Sequence, residues 1–148
     1  DVETYIKLYS AIEPNMITFH LEAIKDKEKI YEMIKLVKDN NCKVGIAIKP
    51  NTEVKEIYEF LPYINTVLVM TVEPGKGGQA LIPETLRKIR ILKEYLNQHN
   101  LDTYIEADGG INLDTIDEVK ESGVDIAVVG NGILKTENYR TTVSELKN

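Results

Sequence analysis

Two hydrophobic patterns alternate along the whole chain, and this alternation constrains the fold more than any other feature. Short runs rich in β-branched and apolar residues predict strands, and the segments between them carry apolar residues at helical spacing. The predicted strands are 15–22, 43–49, 66–72, 103–108 and 126–130. The resulting order, αβαβαβαβαβα, predicts a parallel sheet with right-handed crossovers and covering helices.

Helix boundaries carry recognisable signals. Pro83 suits the first turn of a helix over 83–99, and the residues 112–115 (NLDT) predict the start of another. Asn40 with Asn41, and Gly123, are typical of helix ends.

Two architectures fit five parallel strands: an open doubly wound sheet, or part of a (β/α)8 barrel. No G-x-G-x-x-G motif follows the first predicted strand, as a dinucleotide-binding sheet would require. Most glycines instead follow the later strands, where barrel enzymes commonly bind phosphate. These glycines are Gly75, Gly77, Gly78, Gly109, Gly110, Gly130 and Gly132. Their distribution favours the barrel.

Composition excludes several classes of protein. The 148 residues hold 18 Lys and Arg against 24 Asp and Glu, a net charge of −6 that disfavours nucleic acid or an anionic membrane as partner. We find no apolar run long enough to span a membrane and no signal peptide, and expect a soluble cytoplasmic protein. One cysteine and two histidines exclude a disulfide framework and a histidine-rich metal cage within the chain.

Asp108 is the first candidate functional residue. It ends a predicted strand and precedes Gly109 and Gly110, so its carboxylate can act as a general acid or base or as a metal ligand. An Asp that caps a helix or a turn would give the same pattern. His20 is the second candidate, because strand periodicity points it away from the apolar face that carries Ile17 and Phe19. A hydrogen-bonded core histidine is the alternative.

Two glycine loops offer N–H groups to an anion. Residues 74–79 (PGKGGQ) follow the third predicted strand, and 130–132 (GNG) follow the fifth. Each loop alone is also compatible with an ordinary surface turn, and neither has P-loop spacing.

Five sequence blocks occur in the order and at the spacing of one enzyme family. They are 18–23 (TFHLEA), 43–50 (KVGIAIKP), 69–75 (VMTVEPG), 77–79 (GGQ) and 106–111 (EADGGI). Together they resemble the ribulose-phosphate 3-epimerase family, over essentially the whole chain.

The resemblance implies a (β/α)8 barrel that interconverts D-ribulose 5-phosphate and D-xylulose 5-phosphate through an enediolate stabilised by a divalent metal. Zinc is expected first, with iron, manganese or cobalt as alternatives. By motif position, His20 would bind metal and substrate, Asp108 would bind metal and transfer a proton, and Met70 would shield the enediolate. The phosphate contacts implied are Gly75, Lys76, Gly77, Gly78, Gly109, Gly110, Gly130 and Asn131. The family also implies a homo-oligomer.

The chain departs from the family pattern in two ways. Lys76 stands where an aromatic is usual, and Asn131-Gly132 where a serine and a small residue are usual, which makes an allulose-6-phosphate 3-epimerase the alternative. The family's first three strands, with a serine, a second metal-binding histidine and a partner aspartate, have no counterpart. We therefore expect 1–148 to be one domain, the C-terminal portion of the barrel, and inactive alone.

Two other functions fit the same residues. One is a non-catalytic phosphosugar-binding half-barrel that pairs with another chain through its open strand edges. The other is a barrel aldolase or decarboxylase, for which Lys49 at a strand end is the candidate catalytic lysine.

Overall fold

A computed structural model of the chain describes residues 1–75 and 77–148, which form a five-stranded parallel sheet and its helices. The strands are β1 (Met16–His20), β2 (Lys43–Ile48), β3 (Thr66–Met70), β4 (Tyr104–Asp108) and β5 (Ile126–Val128). The helices are α1 (Val2–Ser10), α2 (Lys27–Asp39), α3 (Pro83–Gln98), α4 (Ile116–Glu121), α5 (Asn131–Leu134) and α6 (Tyr139–Lys147).

The strand order distinguishes the two predicted architectures. Each strand pairs with the next strand along the chain, giving the order β1-β2-β3-β4-β5. A doubly wound sheet reverses its strand order at a switch point, and the described residues contain no such reversal. The chain therefore folds as five consecutive β/α units of a (β/α)8 barrel, as the glycine distribution predicts.

The outer face of the sheet forms the hydrophobic core with the helices. Alternate strand residues point to this face and are almost completely buried. They are Ile17, Phe19, Val44, Ile46, Ile48, Val67, Val69, Ile105 and Ala107. The helices contribute apolar stripes, such as Leu86, Ile89, Leu92 and Leu96 of α3. The core thus fixes the sheet from one side and leaves the other face available for function.

The inner face, which would line the barrel, carries the other alternate residues. Parallel register sets His20 opposite Ala47 and Met70 opposite Asp108. Towards the β5 edge this face exposes apolar side chains: Tyr104 is 58% exposed and Ile126 is 41% exposed. Both candidates, His20 and Asp108, are the last residues of their strands and are half-buried. The predictions that His20 points away from the apolar face and that Asp108 ends a strand are confirmed.

Most predicted helix boundaries are confirmed. Pro83 begins α3, Asn40 caps α2, and Gly123 follows the end of α4 with φ 100°. The predicted start at Asn112 is wrong by one turn: the Asn112 side chain accepts a hydrogen bond from the Asp114 N–H, so a turn forms first and α4 begins at Ile116. In the part of the chain that the structure describes, no helix is both long and apolar enough to cross a membrane.

The segment between β2 and β3 differs from the predicted order. All of its residues are described, and they form two short 3₁₀ helices, Val54–Glu56 and Tyr58–Tyr63, in place of an α-helix. Pro62 lies inside the second, where its missing N–H and its ring disfavour a regular α-helix. The first strand is also shorter than predicted, because a 3₁₀ turn, Leu21–Ala23, takes Glu22 out of the sheet.

Candidate active site

A cleft of about 790 Å³ opens at the carboxyl edge of the sheet, between the loops that follow β3, β4 and β5. It brings together eight of the residues that the sequence predicts for the site. They are Met70, Gly77, Gly78, Asp108, Gly109, Gly110, Gly130 and Asn131. Residues that follow three different strands therefore converge on one space, as expected at this end of a barrel.

Thr71 joins the first two of these loops. Its N–H donates to the carbonyl oxygen of Asp108 at 2.9 Å, which continues the β3–β4 ladder by one residue. Its hydroxyl donates to the carbonyl oxygen of Gly109 at 2.5 Å. The side chain is fully buried, so this connection is shielded from water. The turn that carries Asp108 is thereby fixed to the end of the neighbouring strand.

Position 110 requires a glycine for two separate reasons. Its φ of 67° lies in the left-handed region, and a Cβ added there would stand 2.3 Å from the backbone nitrogen of Leu81. The chain after β3 consequently packs directly on the backbone of the turn after β4. This close approach shapes one wall of the cleft.

The glycine loops after β3 and β5 meet at Asn131. A Cβ added to Gly78 would lie 3.1 Å from Asn131 Nδ2, and one added to Gly77 would lie 4.0 Å from it. Gln79 helps to close the first loop, because its amide donates to the Glu73 carbonyl oxygen at 2.7 Å. The two glycine loops and the Asn131 side-chain amide therefore lie beside one another in the cleft.

Two carboxylates follow one another along the inner face of β4. Glu106 and Asp108 share that face, and both are half-buried. Burial, reinforced by the negative charge of Asp108, raises the pKa of Glu106. Asp108 lies nearer the cleft, with Met70 opposite it on β3. The arrangement gives the cleft one carboxylate beside an apolar thioether side chain.

His20 stands at the end of β1 beside Glu22. Its Nδ1 lies 3.4 Å from Glu22 Oε2, and solvent reaches neither atom. Burial raises the pKa of Glu22, but hydrogen bonds from the Lys49 N–H and the Thr52 hydroxyl outweigh it, so the pKa lies below its usual value. Because Nδ1 is covered, Nε2 is the ring nitrogen open to a ligand.

The donor atoms of His20 and Asp108 are of the kinds that divalent metals bind. Imidazole nitrogen and carboxylate oxygen are donors that zinc, iron and manganese accept. Within residues 1–75 and 77–148, no three His, Cys, Asp or Glu side chains form a group that could hold a metal ion. The strands β1 and β4 are three positions apart in the sheet, so these two side chains reach a common ligand only across the inner face.

Comparison with known proteins assigns the family. The ribulose-phosphate 3 epimerase family model matches residues 1–134. The chain belongs to this family. The resemblance that the five motifs predict is thereby confirmed.

Relatives with the same name cover nearly all of the chain. The ribulose-phosphate 3-epimerase of Buchnera aphidicola subsp. Baizongia pistaciae is 37% identical over 146 residues, which are 99% of this chain and 63% of the relative. The ribulose-phosphate 3-epimerase of Escherichia coli strain K12 is 31% identical over 99% of this chain and 64% of its own length. The chain thus spans slightly under two thirds of these relatives.

A solved structure agrees with the fold. The 3-hexulose-6-phosphate synthase from Salmonella typhimurium superimposes with a TM-score of 0.70 at 15% identity, over 97% of this chain and 65% of that one. At this identity the likeness supports the barrel fold alone.

Two predicted site residues that the structure describes lie away from the cleft. Among the described residues, His20 and Gly75 are not part of the cleft lining, and Lys76 lies outside the described residues. The cleft also contains residues that sequence reasoning missed, notably Asn112 and Lys135. Lys135 directly follows α5. Its closeness in sequence to the 130–132 loop is the one feature that could have placed it at the site. This lysine is a positive charge in a cleft that also contains Asp108.

Proposed function

We propose that the complete protein containing this chain is a ribulose-phosphate 3-epimerase, which interconverts D-ribulose 5-phosphate and D-xylulose 5-phosphate. The observation that carries the proposal is the position of Asp108. Its carboxylate lines a cleft whose other walls are glycine loops, in a chain of this epimerase family. An acid–base group is thus held close to a site suited to a phosphate.

Asp108 is the proton-transfer group on one side of the substrate. Removing the proton from C3 of the ketose phosphate leaves an enediolate, and returning a proton to the opposite face inverts that carbon. Inversion needs a second acid–base group on the other side. We place that group, and the remaining metal ligands, outside residues 1–148, so this chain alone is expected to be inactive.

His20 and Asp108 are the residues of this chain that would hold a divalent metal, with zinc expected first. When bound, the metal supplies Lewis-acid stabilisation of the negative charge that develops on the substrate oxygens. His20 presents Nε2, because Nδ1 is covered beside Glu22. Asp108 presents carboxylate oxygens from the end of β4.

The phosphate is held by local donors, because the net charge of −6 repels an anion. The N–H groups of the loops at Gly77 and Gly78 and at Gly130, with the Asn131 amide, supply hydrogen bonds. Lys135 supplies a positive charge at the same cleft. Gly75 and Lys76 are proposed to complete the loop around the phosphate.

Met70 excludes water from the reacting atoms. It ends β3 opposite Asp108 and lines the cleft without offering an acid or a base. An apolar thioether at this position protects an enediolate from stray protonation by solvent. We further propose that the complete protein is a cytoplasmic homo-oligomer, as the family resemblance implies.

The decisive test compares two substrates on the full-length protein. Ribulose 5-phosphate and allulose 6-phosphate are assayed side by side for epimerisation at C3, with the metal present. We expect a higher kcat/KM for ribulose 5-phosphate. A preference for allulose 6-phosphate would assign the hexulose phosphate, and epimerisation of neither would overturn the proposal.

A further inference from the structure

The Nδ1 atom of His20 faces a carboxylate that does not line the cleft. It lies 3.4 Å from Glu22 Oε2, and both atoms are closed to solvent. We propose that Glu22 is a positioning residue that fixes His20 in the Nδ1–H tautomer, with the lone pair of Nε2 directed to the metal. The role towards the metal rests on the proposed function. The tautomer itself does not.

The environment of the two atoms determines which one carries the hydrogen. At 3.4 Å they are slightly beyond ordinary hydrogen-bond length, and among the described residues neither atom has a hydrogen-bond partner. An ionised carboxylate only accepts hydrogen bonds. If Nδ1 also lacked its hydrogen, two acceptors would face each other in a buried site at an unfavourable free energy. The Nδ1–H tautomer makes them donor and acceptor.

Glu22 is held in place by the loop after β2. Its other oxygen, Oε1, accepts hydrogen bonds from the Lys49 N–H at 2.8 Å and from the Thr52 hydroxyl. Lys88 on α3 donates to the carbonyl oxygens of Lys49 and Pro50 at 2.8 Å and 3.1 Å, which fastens that loop to the helix layer. Oε2 is therefore directed at His20 by a network that reaches from the strand to a helix.

This geometry has a known physical consequence for a histidine ligand. A histidine that binds a metal commonly donates its second ring N–H to a carboxylate, which sets the ring orientation and raises the basicity of the ligating nitrogen. Glu22 occupies that position two residues after His20, because the chain enters the 3₁₀ turn Leu21–Ala23 immediately after β1. The side chain thus acts on the ligand without touching the substrate.

Glu22→Gln is the informative variant. Its amide oxygen can keep the hydrogen bonds to Lys49 and Thr52, while its amide NH₂ replaces Oε2 and presents a donor to Nδ1. His20 is then expected to change to the Nε2–H tautomer. Thr52→Val is the matched control, because it removes a hydrogen bond to Oε1 and leaves the atoms that face His20 intact.

The first measurement is the ¹⁵N imidazole NMR spectrum of the metal-free full-length protein, recorded above pH 8. His20 is assigned by the loss of its signals in His20→Ala. We expect Nδ1–H for His20 in the wild type and in Thr52→Val, and Nε2–H in Glu22→Gln. His99 serves as an internal reference, because its Nδ1 lies 2.9 Å from the Tyr95 carbonyl oxygen and should stay Nδ1–H in every variant.

The second measurement is titration of the same proteins with Zn²⁺ alone. Loss of such a partner typically weakens metal binding by about 10- to 100-fold, and we expect this for Glu22→Gln but not for Thr52→Val. An Nε2–H tautomer in the wild type, or an unchanged tautomer in Glu22→Gln, would overturn the inference. Equal loss of Zn²⁺ affinity in both variants would do the same, since it would mean that Glu22 only anchors the loop. Normal tautomers with no epimerase activity in the wild type would instead contradict the proposed function.

Discussion

The hydroxyl of Thr71 donates a 2.5 Å hydrogen bond to the carbonyl oxygen of Gly109, which ties the end of β3 to the glycine turn after Asp108. We predict that Thr71→Val lowers the free energy of unfolding by about 1–3 kcal/mol. The Gly109 carbonyl oxygen would lose its hydrogen-bond donor, and the fully buried side chain at position 71 would keep water from replacing it. Urea denaturation measures the change. Thr141→Val, at an exposed position on α6, is the control and should have little effect.

Gly110→Ala is predicted to destabilise the protein by roughly 2 kcal/mol or more. The alanine would have to keep a left-handed φ, and its Cβ would lie 2.3 Å from the Leu81 backbone nitrogen. Thermal unfolding followed by circular dichroism measures the shift. Gly77→Ala is the matched control, because its Cβ would meet its nearest neighbour at 4.0 Å. Equal stability of the two variants would contradict the packing described for the cleft wall.

Much of this fold could be predicted from the sequence, because the two hydrophobic periods are strong and boundary residues such as Pro83 and Gly123 are physically specific. The segment between β2 and β3 could not. Its apolar residues allow an α-helix, and only the local effect of Pro62 together with tertiary packing selects 3₁₀ turns. The glycine loops were identifiable as candidates, because two of them follow late strands on either side of a strand-end carboxylate, whereas one glycine cluster alone would be an ordinary turn.

The relation between Glu22 and His20 was hidden for a different reason. Strand periodicity extends β1 to Glu22 and assigns both residues to one face. The 3₁₀ turn that ends the strand instead brings Glu22 to Lys49 and Thr52, which are more than 25 residues away in sequence. Lys135 was missed because a single lysine after a short helix belongs to no hydrophobic or charge pattern in the sequence.

Lys135 is predicted to contribute to phosphate binding in the full-length protein. Lys135→Gln removes a positive charge from the cleft, so KM for a phosphorylated ketose should rise about 5- to 10-fold with little change in kcat, and the rise should shrink at high salt. Steady-state kinetics at two ionic strengths provide the measurement. Lys38→Gln, a charge-matched change on α2, should leave KM unchanged. Identical kinetics for both variants would exclude Lys135 from the phosphate site.

Glu3 connects α1 to α2 and gives a pH-dependent contribution to stability. Hydrogen bonds from Lys7 and Lys29 lower its pKa from 4.5 to about 2. Because the folded pKa is depressed, the contribution is complete above pH 4.5 and is lost as the pH falls towards 2. The melting temperature of the wild type should therefore exceed that of Glu3→Gln at pH 6, and the two should converge near pH 2. A constant difference across that range would contradict the depressed pKa.

Proton transfer by Asp108 is the central claim, and deuterium exchange tests it most directly. The full-length protein is incubated with ribulose 5-phosphate in D₂O, and loss of the C3 proton and formation of xylulose 5-phosphate are followed together by ¹H NMR. Asp114→Asn is the matched control, because Asp114 is a second carboxylate lining the same cleft. We predict that Asp108→Asn stays folded but loses epimerisation by at least about 100-fold, while Asp114→Asn stays near the wild-type rate. Epimerisation by Asp108→Asn at the wild-type rate would contradict the account.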